Sequence, residues 1–199
     1  MWHYGWGEVD EAKQQVKEFH PLPHFTGSAW QGGAAWPDAT LGWVQITAQG
    51  GHSGNDLQHA AIRRWIAPRD MQVSISGTVS HKPKVGNGIR ARLLAAGQGE
   101  IASWNLKTLD AEMKIKGLEL KKRDALDFVV DFRGMLNSNE FLWAPVITMT
   151  KSAAANAGEP DTKEWNAAAD FGGPPPVPMS SLERYAQALL LTNEFLFLD

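Results

Sequence analysis

The stretch Met71-Gln-Val-Ser-Ile-Ser-Gly-Thr-Val79 indicates the fold class, because apolar and polar residues alternate along it. Successive side chains of a β-strand point to opposite faces, so the alternation predicts a strand with one buried and one exposed face. Pro68-Arg-Asp70 precedes the stretch and Gly86-Asn-Gly88 follows it, and both sequences are typical of turns. The stretch therefore predicts one strand of an antiparallel sheet.

Similar short apolar or alternating runs lie on both sides of this stretch, and no helical pattern separates them. The other predicted strands span residues 41–47, 60–66, 89–95, 100–106, 112–120, 124–132 and 141–149. Short strands with turn signals every 8–12 residues or so are typical of a sandwich or barrel, and the lack of intervening helices disfavours a parallel sheet. We predict an all-β fold, a jelly-roll β-sandwich of about eight antiparallel strands.

The flanking segments have a different composition. Residues 1–40 contain many Gly and Pro residues together with four tryptophans, and they predict an irregular N-terminal wrap around the sandwich domain of residues 41–150. Residues 151–180 form a Pro/Gly/Ala-rich linker, and residues 181–199 a short C-terminal helix. Its apolar residues recur at helical spacing. We therefore expect this helix to pack on the sandwich, to self-associate with a second copy, or to dock on a parent protein.

Charge and composition exclude several functions. The chain has 199 residues, a formal net charge of -3 and no cysteine. Disulfides, thiolate catalysis and cysteine-ligated zinc are excluded, and no basic field favours nucleic acid as a partner. No apolar run is long enough to predict a membrane span, and the N-terminus does not resemble a signal peptide.

Nine tryptophans are more than a core of this size needs, so some are expected on the surface. An indole plane stacks well on the C–H faces of a sugar ring, and jelly rolls often bind carbohydrate. Trp30, Trp36 and Trp104 are the predicted exposed ligand-binding residues. Trp43 and Trp143 lie among apolar neighbours and are predicted to be in the core.

A second candidate binding set consists of four arginines, Arg63, Arg64, Arg90 and Arg92. Arg90 and Arg92 share one face of a predicted strand, and Arg64 lies on another strand. If these strands are adjacent, the guanidinium groups make a patch that could bind the sulfate or carboxylate groups of an acidic polysaccharide. The alternative is that they form cross-strand ion pairs with Asp or Glu residues.

Histidines and carboxylates give further candidates for a metal site. His52, Asp56 and His59 lie close together in sequence and could hold a divalent metal, although their spacing matches no standard zinc site. Asp131, near a strand end, is a candidate ligand of a structural calcium ion. The alternative is that His52 and Asp56 form hydrogen bonds to the loop backbone and that His59 is buried with a partner.

Asp56, Asp127, Asp131 and Glu140 are weak catalytic candidates for a glycoside hydrolase. Such an enzyme needs two carboxylates about 5–5.5 Å or 6.5–9.5 Å apart. Asp127 and Asp131 share a strand face but lie roughly 13 Å apart by strand rise, so this pair needs a partner such as Glu140. No recognised catalytic signature is present, so an enzyme is not favoured.

A series of motifs in a fixed order resembles one known arrangement. The motifs span residues 2–11, 22–27, 30–33, 50–56, 59–68 and 182–199, beginning with Trp2-His-Tyr-Gly-Trp6 and including Gly50-Gly-His-Ser-Gly-Asn-Asp56. They resemble the C-terminal module of the large planctomycete-type cytochrome C domain proteins, which also carry domains of unknown function. The resemblance implies an exported, extracytoplasmic or secreted protein that handles complex polysaccharides, and it carries over no catalytic residue. The chain departs from the pattern at Asn87, where Asp is expected, and at Arg123, where Gly is expected.

The sequence thus predicts a carbohydrate-binding module that recognises a complex polysaccharide through exposed Trp and Arg side chains, an acidic one where the arginines take part. Calcium is the one cofactor considered. One alternative is a glycoside hydrolase or other polysaccharide-active enzyme on the same fold. The other is a structural or docking module that acts through its C-terminal helix.

Overall fold

The computed structural model describes residues 1–152, 163–174 and 179–191, and these ranges form an antiparallel β-sandwich followed by a short helix. The elements are β1 (Trp2–Gly7), β2 (Val9–Asp10), β3 (Gln15–Val16), β4 (His20–Pro21), β5 (His24–Phe25), β6 (Ala29–Gln31), β7 (Gln45–Thr47), β8 (Gly50–His52), β9 (Ala60–Ile66), β10 (Met71–His81), β11 (Ile89–Ala95), β12 (Gly99–Leu106), β13 (Leu109–Leu120), β14 (Ala125–Phe132), β15 (Glu140–Trp143), β16 (Val146–Ser152), β17 (Glu164–Asn166) and α1 (Ser181–Leu191). An all-β sandwich is therefore confirmed, with more and shorter strands than the predicted eight.

Two sheets make up the sandwich. The six-stranded sheet has the order β12-β11-β14-β9-β1-β4, and the nine-stranded sheet has the order β17-β16-β10-β15-β8-β7-β6-β5, with β13 paired to β10. The alternating stretch at Met71 is β10, which pairs with β13 along one side and with β16 and then β15 along the other. The strand that the sequence predicts most clearly thus joins both halves of its sheet.

The core lies between the two sheets and contains several aromatic side chains. Trp65 and Phe128 from the six-stranded sheet and Trp143 from the nine-stranded sheet are almost fully buried. Phe128 and Trp143 meet edge to face across the core, with ring centroids 5.3 Å apart. Such pairs add to the stabilisation that burial of their apolar area provides.

The N-terminal segment differs from the predicted irregular wrap, because β1 is a full strand between β9 and β4. Its glycines, which suggested irregular structure, serve close strand packing instead. A Cβ atom on Gly5 would lie 2.4 Å from the carbonyl oxygen of His20 on β4. Trp2 and Tyr4 lie on the opposite face of β1 from Gly5, and their side chains point into the core.

The predicted linker also contains ordered sandwich structure. β17 pairs with β16, and Trp165 on β17 packs edge to face on Trp65 at a centroid distance of 5.0 Å. Residues 153–162 and 175–178 of the predicted linker lie outside the described residues. The predicted strand 141–149 is divided into β15 and β16 around Pro145, which has no N–H to give to a sheet.

The β2–β3 hairpin covers the outer face of the six-stranded sheet. Val9 on β2 is buried in a second, smaller apolar cluster, and Val16 and Phe19 pack against that cluster. The sheet contributes to this cluster through residues of β9, β11 and β14, namely Ala60, Ile62, Leu94 and Val129. This outer face is therefore closed over much of its area.

The C-terminal helix α1 begins with a capping box. The N–H of Ser180 donates to the Glu183 carboxylate (2.7 Å) and the N–H of Glu183 donates to the Ser180 hydroxyl (3.2 Å). No residue of α1 is buried, and residues 192–199 of the predicted helix lie outside the described residues. In the part of the chain that the structure describes, no helix is long and apolar enough to cross a membrane.

Candidate ligand-binding groove

A groove of about 350 Å³ lies on the outer face of the nine-stranded sheet, opposite to the core. Strand alternation creates this face, because Phe141 and Trp143 of β15 point into the core while Glu140 and Leu142 are exposed. Its lining residues are Trp36, Gln45, Thr47, Gly51, His52, Ser80, Lys82, Glu140, Phe141 and Leu142. We call this the Trp36 groove.

The floor of the Trp36 groove is made by β7, β8 and β15. His52 on β8 lies opposite Gln45 on β7 and opposite Glu140 on β15, so the three side chains share one face. Gly51 lets the strands approach closely, since a Cβ atom there would lie 2.1 Å from the Gln45 carbonyl oxygen. The glycines before His52 thus belong to the floor of a groove rather than to a loop.

One wall of the groove is a cluster of three aromatic rings. Trp36 meets Trp43 edge to face (4.8 Å between centroids), and both rings contact His52, at 5.9 and 5.5 Å respectively. The Trp36 indole N–H donates to the Trp43 carbonyl oxygen (3.1 Å). With 39% of its surface exposed, Trp36 presents an aromatic ring to solvent in a defined orientation.

The loop that carries Trp36 is held by Asp38. Its carboxylate accepts hydrogen bonds from the backbone N–H groups of Thr40 (2.9 Å) and Leu41 (2.8 Å), and these bonds lower the pKa of Asp38. The backbone of Asp38 also exchanges two hydrogen bonds with Gly42. The side chain and the backbone of Asp38 thus both hold the loop in its conformation.

His52 presents a hydrogen-bond acceptor to the groove. Its Nδ1 lies 2.6 Å from the Ser53 carbonyl oxygen, which can only accept, so Nδ1 carries the proton. Burial lowers the pKa of His52, and the ring is neutral at neutral pH. Its Nε2 therefore has a free lone pair.

The charged and amide side chains of the groove differ in whether they already have a hydrogen-bond or ion-pair partner within the protein. Gln45 donates to the Gln31 side chain (2.9 Å), and the Lys82 ammonium group donates to both carboxylate oxygens of Asp110 (2.6 and 2.7 Å). Among the described residues, no ion pair within 4.0 Å reaches the exposed Glu140 carboxylate. Glu140 is thus the unneutralised charge of the Trp36 groove.

The other predicted tryptophans lie elsewhere. Trp30 packs on Tyr4 and Phe25, donates its indole N–H to the Gly172 carbonyl oxygen (2.8 Å) and lines a separate depression of about 840 Å³. Trp104 packs edge to face on Trp143 against the core. Of the three predicted exposed indoles, only Trp36 lines the groove, and Trp43, predicted to be in the core, supports it.

The predicted arginine patch is a set of ion pairs on the outer face of the other sheet. Arg64 donates twice to Asp127 (2.6 and 2.8 Å). Arg90 and Arg92 both contact the buried carboxylate of Asp131, and the hairpin residue Glu11 contacts both guanidinium groups from above. The strand register therefore produces ion pairs between neighbouring strands, which was the alternative to a ligand-binding patch. These arginines do not line the Trp36 groove.

The remaining metal and catalytic candidates do not converge. Asp56 accepts from the backbone N–H groups of Gln58 and His59 and lies 2.7 Å from Nδ1 of His59, whose ring stacks on Trp6. Among the described residues, no three His, Asp or Glu side chains are grouped so that they could hold a metal ion. The catalytic candidates Asp127 and Asp131 are buried and paired with arginine on the six-stranded sheet, and Glu140 alone of the four lines the groove.

Arg63, predicted as part of the arginine patch, is instead a buried positioning residue. Its buried guanidinium group donates to the carbonyl oxygens of Thr47 (2.6 Å) and Ala48 (3.4 Å), at the turn between β7 and β8. Burial lowers the pKa of Arg63 to about 10, so it remains charged at neutral pH. Sequence reasoning missed Gln45, although its position between the buried Val44 and Ile46 is the signal of an outward-facing polar residue.

Comparisons of the chain with known protein families, with curated proteins and with solved structures gave no match. The resemblance to the cytochrome C domain proteins therefore stays a prediction. The class of function has to be argued from the Trp36 groove itself.

Proposed function

We propose that the protein is a carbohydrate-binding module and that the Trp36 groove is its binding site. The observation that carries the proposal is the meeting of an exposed indole with several hydrogen-bonding side chains in one groove. Known ligand pockets combine apolar and aromatic surface with a few placed polar groups, and their volumes begin at about 300 Å³. The Trp36 groove has this composition and falls at the lower end of that range.

Sugar rings match the two kinds of surface in the groove. Their C–H faces pack on an aromatic plane, while their hydroxyl groups both donate and accept hydrogen bonds. Trp36 supplies the plane. His52 supplies an acceptor, and Gln45 and Ser80 supply further polar atoms along the floor. The groove is open along the sheet, a shape that suits a section of a chain rather than an enclosed small molecule.

The test is affinity electrophoresis and titration against soluble polysaccharides, comparing the native protein with Trp36→Ala. We expect the substitution to lower affinity by at least about tenfold, because a central aromatic contact of an interface commonly has an effect of this size. Leu57→Ala is the control, since Leu57 is an exposed apolar residue outside both the groove and α1. Circular dichroism and thermal unfolding check that both variants are folded.

Two results would contradict the proposal. One is the absence of binding to any polysaccharide or glycan on an array. The other is binding that survives Trp36→Ala unchanged. His52→Phe gives a second variant, because it removes the acceptor and keeps an aromatic ring against Trp36 and Trp43.

A further inference from the structure

The charges around the Trp36 groove distinguish between classes of sugar. Among the described residues that line it, Lys82 is the one cationic residue, and it donates to both carboxylate oxygens of Asp110. Glu140 is exposed, and within the described part of the chain it has no cationic partner. The groove therefore has a local excess of negative charge, which repels the carboxylate or sulfate groups of an acidic polysaccharide.

The neighbours of Glu140 suit a cation that also carries a donor. Glu140 lies directly opposite His52 in the β8–β15 pair, and the Trp36 ring contacts His52. An ammonium group between them meets the carboxylate, the face of an indole and the free lone pair of His52 Nε2. Carboxylates, indole faces and imidazole lone pairs each attract ammonium groups.

Resting on the carbohydrate-binding function proposed above, we propose that the Trp36 groove selects amine-bearing sugars, that is, polysaccharides of hexosamine units whose amino groups are not acetylated. The sugar ring stacks on Trp36 and its ammonium group pairs with Glu140. The arginine residues, which pointed to an acidic ligand, are neutralised on the opposite face of the molecule. The proposed ligand is therefore positively charged, whereas the arginines suggested a negatively charged one.

The experiment compares four soluble oligosaccharides of equal length and linkage by calorimetric titration: glucosamine, N-acetylglucosamine, glucose and glucuronate oligomers. We expect the glucosamine oligomer to bind about two- to fivefold more tightly than the glucose oligomer, an effect the size of one solvent-exposed ion pair. Acetylation removes the charge and should abolish this preference. The glucuronate oligomer should bind most weakly.

Substitution of Glu140 identifies the residue responsible. Glu140→Gln should lower affinity for the glucosamine oligomer about two- to fivefold and leave affinity for the glucose oligomer unchanged. Glu112→Gln on β13 is the control, because it removes one exposed carboxylate from the same sheet outside the groove. Equal losses in the two variants would show attraction of a polycation to a negatively charged protein and would overturn the proposal.

The outcomes separate this inference from the function on which it rests. If the glucose and glucosamine oligomers bind equally, and Trp36→Ala weakens both, the groove binds carbohydrate but the amine preference is wrong. If no oligosaccharide binds, or Trp36→Ala changes nothing, the carbohydrate-binding function itself fails.

Discussion

Asp131 provides a quantitative test of how the arginine residues are used. Its side chain is only 1% exposed and Arg92 beside it is only 2% exposed, so this pair is removed from water. Burial raises the pKa of Asp131, and the guanidinium groups of Arg92 and Arg90 oppose that rise. Asp131→Asn keeps the volume of the side chain and removes its charge, so no cavity contributes to the result.

The expected magnitude follows from the remaining partners of Arg92. Breaking a buried ion pair from one side typically costs about 3–5 kcal/mol, because a buried charge loses its partner. Glu11 still contacts Arg92 at 3.1 Å in the variant, so we expect the lower end, about 3 kcal/mol. Glu11→Gln alone should cost about 1 kcal/mol or less, since the Glu11 side chain is 61% exposed.

The assay is urea unfolding followed by tryptophan fluorescence. With a urea dependence of about 3 kcal/mol per molar for a chain of this size, Asp131→Asn should lower the midpoint by roughly 1 M. The double variant should lose more than the sum of the single variants, because it removes both partners of Arg92. A loss below about 1 kcal/mol for Asp131→Asn, or strict additivity, would refute the view that these arginines are structural. Sugar binding should be unchanged in folded Asp131→Asn protein.

Three further predictions concern the groove and the helix. Because the pKa of Asp38 is lowered in the folded protein, its contribution to the Trp36 loop is present above the unfolded value of about 4 and is lost as pH falls through the folded value. The free energy of unfolding in urea should therefore fall more steeply below about pH 4 in the native protein than in Asp38→Asn, which keeps the acceptor oxygen; identical pH profiles would contradict this. Gly51→Ala should destabilise the fold by about 1–3 kcal/mol and lower the melting temperature in calorimetry, since its Cβ would meet backbone; an unchanged melting temperature would show that the strands separate freely. The exposed Leu182 and Leu190 on α1 predict concentration-dependent association in analytical ultracentrifugation that Leu→Ser changes at both positions abolish, and a monomer at all concentrations would oppose this.

The sequence predicted the central strands well because each of them alternates or is continuously apolar. The predicted strands 60–66 and 89–95 coincide with β9 and β11, and Met71 begins β10 as expected. The strand at Trp2 was missed because its glycines have two explanations, a turn or a close approach of strands. Only the contact of Gly5 with the neighbouring strand separates these explanations.

The candidate site was predicted in part, and register explains the remainder. His52, Trp36 and Glu140 were each named as candidates, but they are far apart in sequence, and nothing in the chain shows that β8 lies between β7 and β15. The arginine residues show the opposite case. Arg90 lies opposite Asp131 in the β11–β14 pair, and a shift of one residue would have placed it opposite Val130 or Phe132, with its charge free for a ligand.

The two outer faces of the sandwich differ in how their polar side chains are used. On the six-stranded sheet, the β2–β3 hairpin packs on an apolar cluster. Beside it, Arg90 and Arg92 pair with Asp131, so the charges of these three residues are used within the fold. On the nine-stranded sheet, no described segment covers the floor beside Trp36, and polar side chains remain available there. The number of tryptophans was therefore a weak argument for binding, since Trp2, Trp65, Trp143 and Trp165 are buried. The stronger argument for the proposed function is position, because one exposed indole and an unpaired carboxylate line the same groove on an open sheet face.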